Sequence, residues 1–118
     1  MENHMTAQEL QAFLHANIPA TVALSLSVVD ITPDSLILSA PHAPNRNHKN
    51  TVFGGSIALA ATVGGWAMVH SRFPEAAGNI VIQQGETRYL HPANGDLTVI
   101  TRAAAEEDWR KMKEMFKQ

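Results

Sequence analysis

Two adjacent glycines, Gly54 and Gly55, stand where a polar loop meets a long apolar segment. At the first turn of a helix such a pair can offer backbone N–H groups to a carbonyl oxygen, with the helix dipole behind them. Lacking Cβ atoms, they also admit a ligand closely; a tight loop-to-helix turn would need the same two residues for its own geometry. The loop before them, Pro41 to Thr51, holds two prolines, three asparagines and two histidines in 11 residues. Such loops are where sites are built, and they also serve as plain solvated connectors. One carboxylate, Glu86, falls in the middle of a strand-like run. Facing inward beside a helix, its pKa would rise and it would suit a general base. Facing solvent, it would pair with Arg88 on the same face of the strand.

Other chemistries are poorly served. There is no cysteine, which removes thiol nucleophiles, disulfides and thiolate-bound zinc. The six histidines show neither H-x-x-x-H nor H-E-x-x-H spacing, so a zinc site is not expected. No G-x-S-x-G elbow is present, and Gly55-Ser56 opens a helix instead. Nine Lys and Arg against 11 Asp and Glu give no bulk positive field for nucleic acid or an anionic membrane. Val52 to Val69 is 18 residues long and weakly polar, but five of them are Gly or Ser. A membrane span of that length is richer in Leu, Ile and Phe, so a buried helix is the reading. Met1 to Met5 carry no basic cluster and no apolar run follows, so no secretory signal is visible. The expected location is the cytoplasm, without metal or cofactor.

The elements that must position these residues fit one domain over 1–118, with 45% hydrophobic and 17% charged residues. Thr6-Ala7-Gln8-Glu9 reads as a capping box, followed by Leu10, Phe13 and Leu14 on one helical face. Thr21 to Thr32 and Ser35 to Ala40 alternate with period two around Pro33-Asp34 and read as a hairpin. Phe53 to Phe73 is too long for a strand and reads as a helix stopped by Pro74. Its small residues lie in helical rows, and Gly54, Ala58, Ala61 and Gly65 are expected to face a curved sheet. Asn79 to Leu90 reads as a long strand with a bend at Gly85, Leu97 to Ala103 as another, and Glu106 to Lys117 as a helix presenting Trp109, Met112 and Phe116. The sum is α+β, an antiparallel sheet wrapped around one long helix.

Asn45 to Gly55, with Thr51-x-Phe53-Gly54-Gly55, Gly65-Trp66 and Arg88-Tyr89-Leu90-x-Pro92, resembles the hotdog-fold thioesterases. More narrowly, it is similar to the thioesterase-like domain that follows acetyltransferase domains in some bacteria. The resemblance covers roughly Thr21 to Thr101. It implies a homo-oligomer, at least a dimer, and an acyl thioester carried on coenzyme A or acyl carrier protein, its chain entering between the helices of two subunits. The catalytic residues implied are Asn47, six positions before the Phe, which would orient water or the carbonyl, and Gly55 as backbone donor. Asn47 equally suits the satisfaction of its own loop backbone. Thr62 stands where related enzymes carry a helix carboxylate; it would hold a water, or sit in the core capping its own helix. Glu86 is the remaining candidate base. Phe53, at the position of a common histidine, and Gly54 would line the substrate. Arg88 and His91 would meet the carrier phosphates, or form surface ion pairs.

The missing helix carboxylate opens an alternative, a non-catalytic acyl- or acyl-carrier-binding hotdog domain. The sheet of this fold also runs on for further strands. The resemblance therefore implies that the chain is truncated before the last strands, that another segment completes the sheet, or that the C-terminal helix replaces them.

Overall fold

The Thr6 hydroxyl accepts from the Glu9 N–H at 3.1 Å while the Glu9 carboxylate accepts from the Thr6 N–H at 2.8 Å. This reciprocal pair starts helix α1, Ala7–Asn17. The computed structural model describes residues 5–117; most of the Met1 to Met5 reading and the last residue, Gln118, lie outside it. Leu10 and Leu14 of α1 are buried, as the spacing predicts.

The segment expected as one strand from Thr21 divides. Pro19 opens a short helix, α2, Pro19–Ala23, and only Ser27–Ile31 forms strand β1. Proline at the first helical position is preorganised for helix, and Ser25 turns the chain back with φ of 54°. Strand β2, Ser35–Ala40, pairs antiparallel with β1, with an irregularity between Val28 and Asp30. Leu36, Leu38 and Ala40 point into the core while Ser35, Ile37 and Ser39 face outward and are half-buried. Strand β3, Leu97–Arg102, pairs with the other edge of β2 from Ser35↔Arg102 to Ala40↔Leu97. The sheet is therefore β1-β2-β3.

The four-residue helix α3, His42–Asn45, opens the polar loop. Helix α4, Gly54–Arg72, matches the expected long helix to within a residue at each end. It lies on β2 and β3, burying Ala60, Val63, Gly64 and Ala67. The face turned to the sheet is thus not the expected one. A Cβ on Gly64 would stand 2.5 Å from the Thr101 Oγ1 and 3.4 Å from a Val99 methyl, whereas one on Gly65 would meet nothing within 4 Å. Ala61 is exposed and Ala58 and Gly65 half-buried on the outer side. The Ser56-Ala60-Gly64 row approaches the sheet; the Ala61-Gly65 row looks away.

Across α4, α1 docks through a cluster of three rings, with Phe13 6.1 Å from Trp66. Phe13 lies 4.2 Å from His70, and His70 lies 5.1 Å from Trp66, all near-parallel. A 3₁₀ turn, Pro74–Ala76, ends the helix. Residues 79–96 then run as irregular chain, so the strand expected over Asn79 to Leu90 does not form and the described strands number three, not four. A strand needs ladder partners, and none of the described sheet edges reaches this segment. It is tied down by single bonds instead, the Trp66 indole donating to the Ile80 carbonyl at 2.8 Å and the Val52 N–H to the Ala93 carbonyl at 2.8 Å. Helix α5, Glu106–Phe116, closes over the end of α4, with Trp109 and Phe116 against Phe73. Among the described residues no helix is long and apolar enough to cross a membrane.

Candidate functional site

The polar loop is held as a unit before it reaches α4. Asn45 is buried, its amide donating to the Leu24 carbonyl at 2.9 Å and the Pro41 carbonyl at 2.8 Å; its Oδ1 is left without a partner. His42 is clamped from both sides, its backbone N–H donating to Asp96 and its ring to the Asn50 carbonyl. The side chain of Asn47 serves the same loop. Its Oδ1 accepts from the N–H groups of Lys49 and Thr51, and its Nδ2 donates to the Thr51 hydroxyl at 2.8 Å. These bonds close a turn in which Asn50 takes a positive φ of 63°. The loop returns through an Arg46↔Val52 bridge, and the Phe53 N–H donates to the Asn45 carbonyl at 2.7 Å.

This frame delivers the chain to α4 at Gly54 and Gly55. Phe53 precedes the helix and provides no side-chain cap. The first N–H groups of a helix have no intrahelical acceptor, so those of Gly54 and Gly55 remain available at its positive end. The room left by the missing Cβ atoms is occupied by aromatic rings. The Phe53 ring folds over Gly55, 2.5 Å from where a Cβ would stand. The Tyr89 ring lies 3.4 Å from the corresponding point on Gly54, and its hydroxyl donates to the Gly54 carbonyl at 3.0 Å. Direct approach of a ligand over the glycine α-carbons, expected from their lack of side chains, is thus taken up by Phe53 and Tyr89.

Beside the Tyr89 ring is an open cavity of about 370 Å³, lined by Thr51, Val52, Gly54, Ile57, Tyr89, Leu90, His91, Pro92 and Ala93. A larger cavity of about 870 Å³ lies at the far end of α4, against Phe73 and Trp109 of the α5 contact. None of the catalytic or substrate-binding residues expected from sequence lines that one, so the smaller cavity is the candidate site.

Of the residues expected from sequence, Gly54 and His91 line it; Phe53 and Gly55 flank Gly54 along the chain without lining it, and Asn47 stands one hydrogen bond behind the wall through Thr51. Thr62 lies two turns along α4 on its exposed outer face, outside the core. Glu86 and Arg88 are exposed in the irregular segment, and the expected pairing between them is not among the ion pairs of the described residues. Among those residues no three His, Asp or Glu side chains converge on a point that could hold a metal. Two residues escaped the sequence reading. Tyr89 was visible within Arg88-Tyr89-Leu90 but carried no signal that it would reach back to Gly54. Asn45 is one of three loop asparagines, and only burial separates it from Asn47 and Asn50.

The chain matches the family described as "Putative thioesterase (yiiD_Cterm)" over residues 7–118. Among solved structures, it is similar to a protein of unknown function from Chlorobaculum tepidum, at 30% identity and a TM-score of 0.84, covering 97% of this chain and 74% of that one. It is also similar to a structure described as a putative thioesterase from Shewanella oneidensis, at 31% identity and TM-score 0.73, covering 81% and 68% of the two chains. A third likeness is to a protein from Pseudomonas aeruginosa described as a probable thioesterase, at 25% identity and TM-score 0.75, covering 98% and 78%.

Proposed function

This chain belongs to the putative thioesterase family that it matches over residues 7–118, with the hotdog fold, and on that premise we propose that it hydrolyses acyl thioesters carried on coenzyme A or acyl carrier protein. The observation that carries the reading is the start of α4. The uncapped N–H of Gly54 stands in the lining of an apolar cavity walled by Val52, Ile57, Leu90 and Pro92, and that of Gly55 follows it in the same turn. A thioester carbonyl placed there accepts from the Gly55 N–H, and the field of a 19-residue helix favours the negative charge that grows on its oxygen during attack. The acyl chain lies against the apolar wall. The leaving thiolate needs little assistance, because its pKa is low.

The attacking water needs an orienting group. Asn47 holds Thr51 at the cavity wall and keeps one further amide hydrogen to donate. Thr62 and Glu86 are exposed and become part of a site when a second copy covers the outer face of α4 and the 79–92 segment. Our reading is therefore a dimer in the cytoplasm, with Arg88 and His91 near the phosphates of the carrier.

A second reading has its own observation. No carboxylate lines the cavity, and the Asn47 side chain is largely used by its own loop. An acyl-binding domain without turnover fits that composition. A panel of short, medium and long acyl-CoAs separates the two. Thiol release above the uncatalysed rate is expected from the thioesterase; binding of one acyl-CoA with no release identifies the binding domain.

A further inference from the structure

We propose that Tyr89 is a positioning residue that sets the aim of the Gly55 N–H; the inference rests on the thioesterase reading above. The Tyr89 hydroxyl donates to the Gly54 carbonyl at 3.0 Å. That carbonyl and the Gly55 N–H are two ends of one planar peptide unit, so a grip on the oxygen fixes the direction of the hydrogen. The unit lies between two glycines, the residues with the least intrinsic restriction of φ and ψ. It also lies in the first turn, where the carbonyl takes the helix's own bond from the Ala58 N–H, Tyr89 adds a second grip on the same oxygen, and no side-chain cap restrains the N–H end. The grip is itself seated, since the Tyr89 ring rests on Gly54 in ordinary contact, 3.4 Å from the point where a Cβ would stand. Accepting a hydrogen bond at the carbonyl further polarises the amide and strengthens its N–H as a donor.

A donor matters to rate in proportion to its alignment with the oxygen on which charge develops. Loss of the Tyr89 hydroxyl leaves the Gly55 N–H in place and less well aimed. The cost is a fraction of the roughly 10²–10³ lost when such a donor is removed outright.

The test compares the wild-type chain with Tyr89→Phe and Tyr89→Ala on whichever acyl-CoA of the panel is turned over fastest. Tyr89→Phe keeps the ring on Gly54 and removes only the hydroxyl. It is expected to lower kcat about tenfold, with KM within about twofold and an unchanged thermal midpoint, the pattern of an interaction made in the transition state. Tyr89→Ala is expected to lose more kcat and to raise KM as well, because the ring also walls the cavity. Wild-type kcat in Tyr89→Phe overturns the inference and leaves the thioesterase reading standing. So does a raised KM together with a lowered thermal midpoint in Tyr89→Phe, which would make Tyr89 a structural prop. A wild-type chain that releases no thiol from any acyl-CoA overturns the reading and this inference together.

Discussion

Asn47 shows how one side chain can carry a structural and a chemical role that substitution must separate. Its three hydrogen bonds hold the loop that delivers Gly54 and Gly55. Each such bond contributes about 0.5–1.5 kcal/mol net, and partial exposure places their sum at the lower end. Asn47→Ala is therefore expected to cost about 1–2 kcal/mol in chemical denaturation as well as activity. Asn47→Asp is the informative partner. A carboxylate accepts from Lys49, Thr51 and the Thr51 hydroxyl alike, so the loop survives, while the amide donor is gone. Thiol release should fall at least about tenfold in Asn47→Asp, with the unfolding midpoint near wild type, where the amide orients carbonyl or water. Equal activity in Asn47→Asp and wild type would assign the residue to the loop alone.

At the scale of elements, the two glycines within α4 make opposite demands. Gly64→Ala places a methyl 2.5 Å from the Thr101 Oγ1, on a strand that cannot retreat without breaking its register with β2. Overpacking of this kind costs roughly 1–3 kcal/mol, against a gain of about 1 kcal/mol in helix propensity. A net loss of stability is expected by thermal denaturation. Gly65→Ala meets nothing within 4 Å and should stabilise the isolated chain by about 0.5–1 kcal/mol. Helical periodicity in the sequence reveals both small-residue rows and cannot say which one faces the sheet, because Gly and Ala are equally small on either side. The Thr6–Glu9 box, the hairpin around Pro33-Asp34 and the length of α4 rest on local chemistry and were legible. The helical turn at Pro19 follows a local signal that β-type alternation masks, and the unpaired 79–96 segment depends on what the rest of the chain provides. In the site, Gly54-Gly55 at a helix start was readable, while the reach of Tyr89 across 35 positions was not.

The ring cluster joining α1 to α4 adds a dependence on pH. His70 is buried against Phe13 and Trp66, with its Nδ1 unpartnered, and desolvation holds its pKa below the ordinary imidazole value of about 6.5. As pH falls through 6.5, the unfolded chain takes up a proton that the folded chain refuses, so stability drops until the folded pKa is passed and then levels. His70→Phe keeps a flat ring in the cluster and has no proton to take up. Its thermal midpoint should match wild type above pH 7 and exceed it near pH 5. Parallel pH profiles for the two proteins would show that His70 does not couple folding to protonation.

The whole molecule exposes 7893 Å² of accessible surface. A folded monomer of 12.8 kDa is expected to expose about 6,300 Å². The excess, about 1,600 Å², is large beside the roughly 800 Å² that each partner contributes to an ordinary specific interface. Part of it is apolar and falls at the two ends of one segment. Val81 is 89% exposed and Leu90 73%, with Ile82 and Tyr89 between them also open. The outer face of α4, with Ala61, Thr62 and Gly65, lacks bulk and would let a second helix or strand come close. An unpaired segment with exposed apolar residues at both ends, beside a small-residue helix face, is suited to covering by its own copy, which would also supply the ladder partners that 79–90 lacks within one chain. Sedimentation at tens of micromolar is therefore expected to give twice the 12.8 kDa chain mass. Val81→Asp is the selective test. At that exposure the charge costs the single chain little, but in a covered interface it would be buried without a partner. The variant should sediment as a folded monomer with an unchanged helix signal in circular dichroism. Its thiol release should fall with the dimer fraction, because Thr62 and Glu86 then face water. A wild-type chain that sediments as a monomer at this concentration would refute the covered face, and a Val81→Asp dimer would place the interface elsewhere.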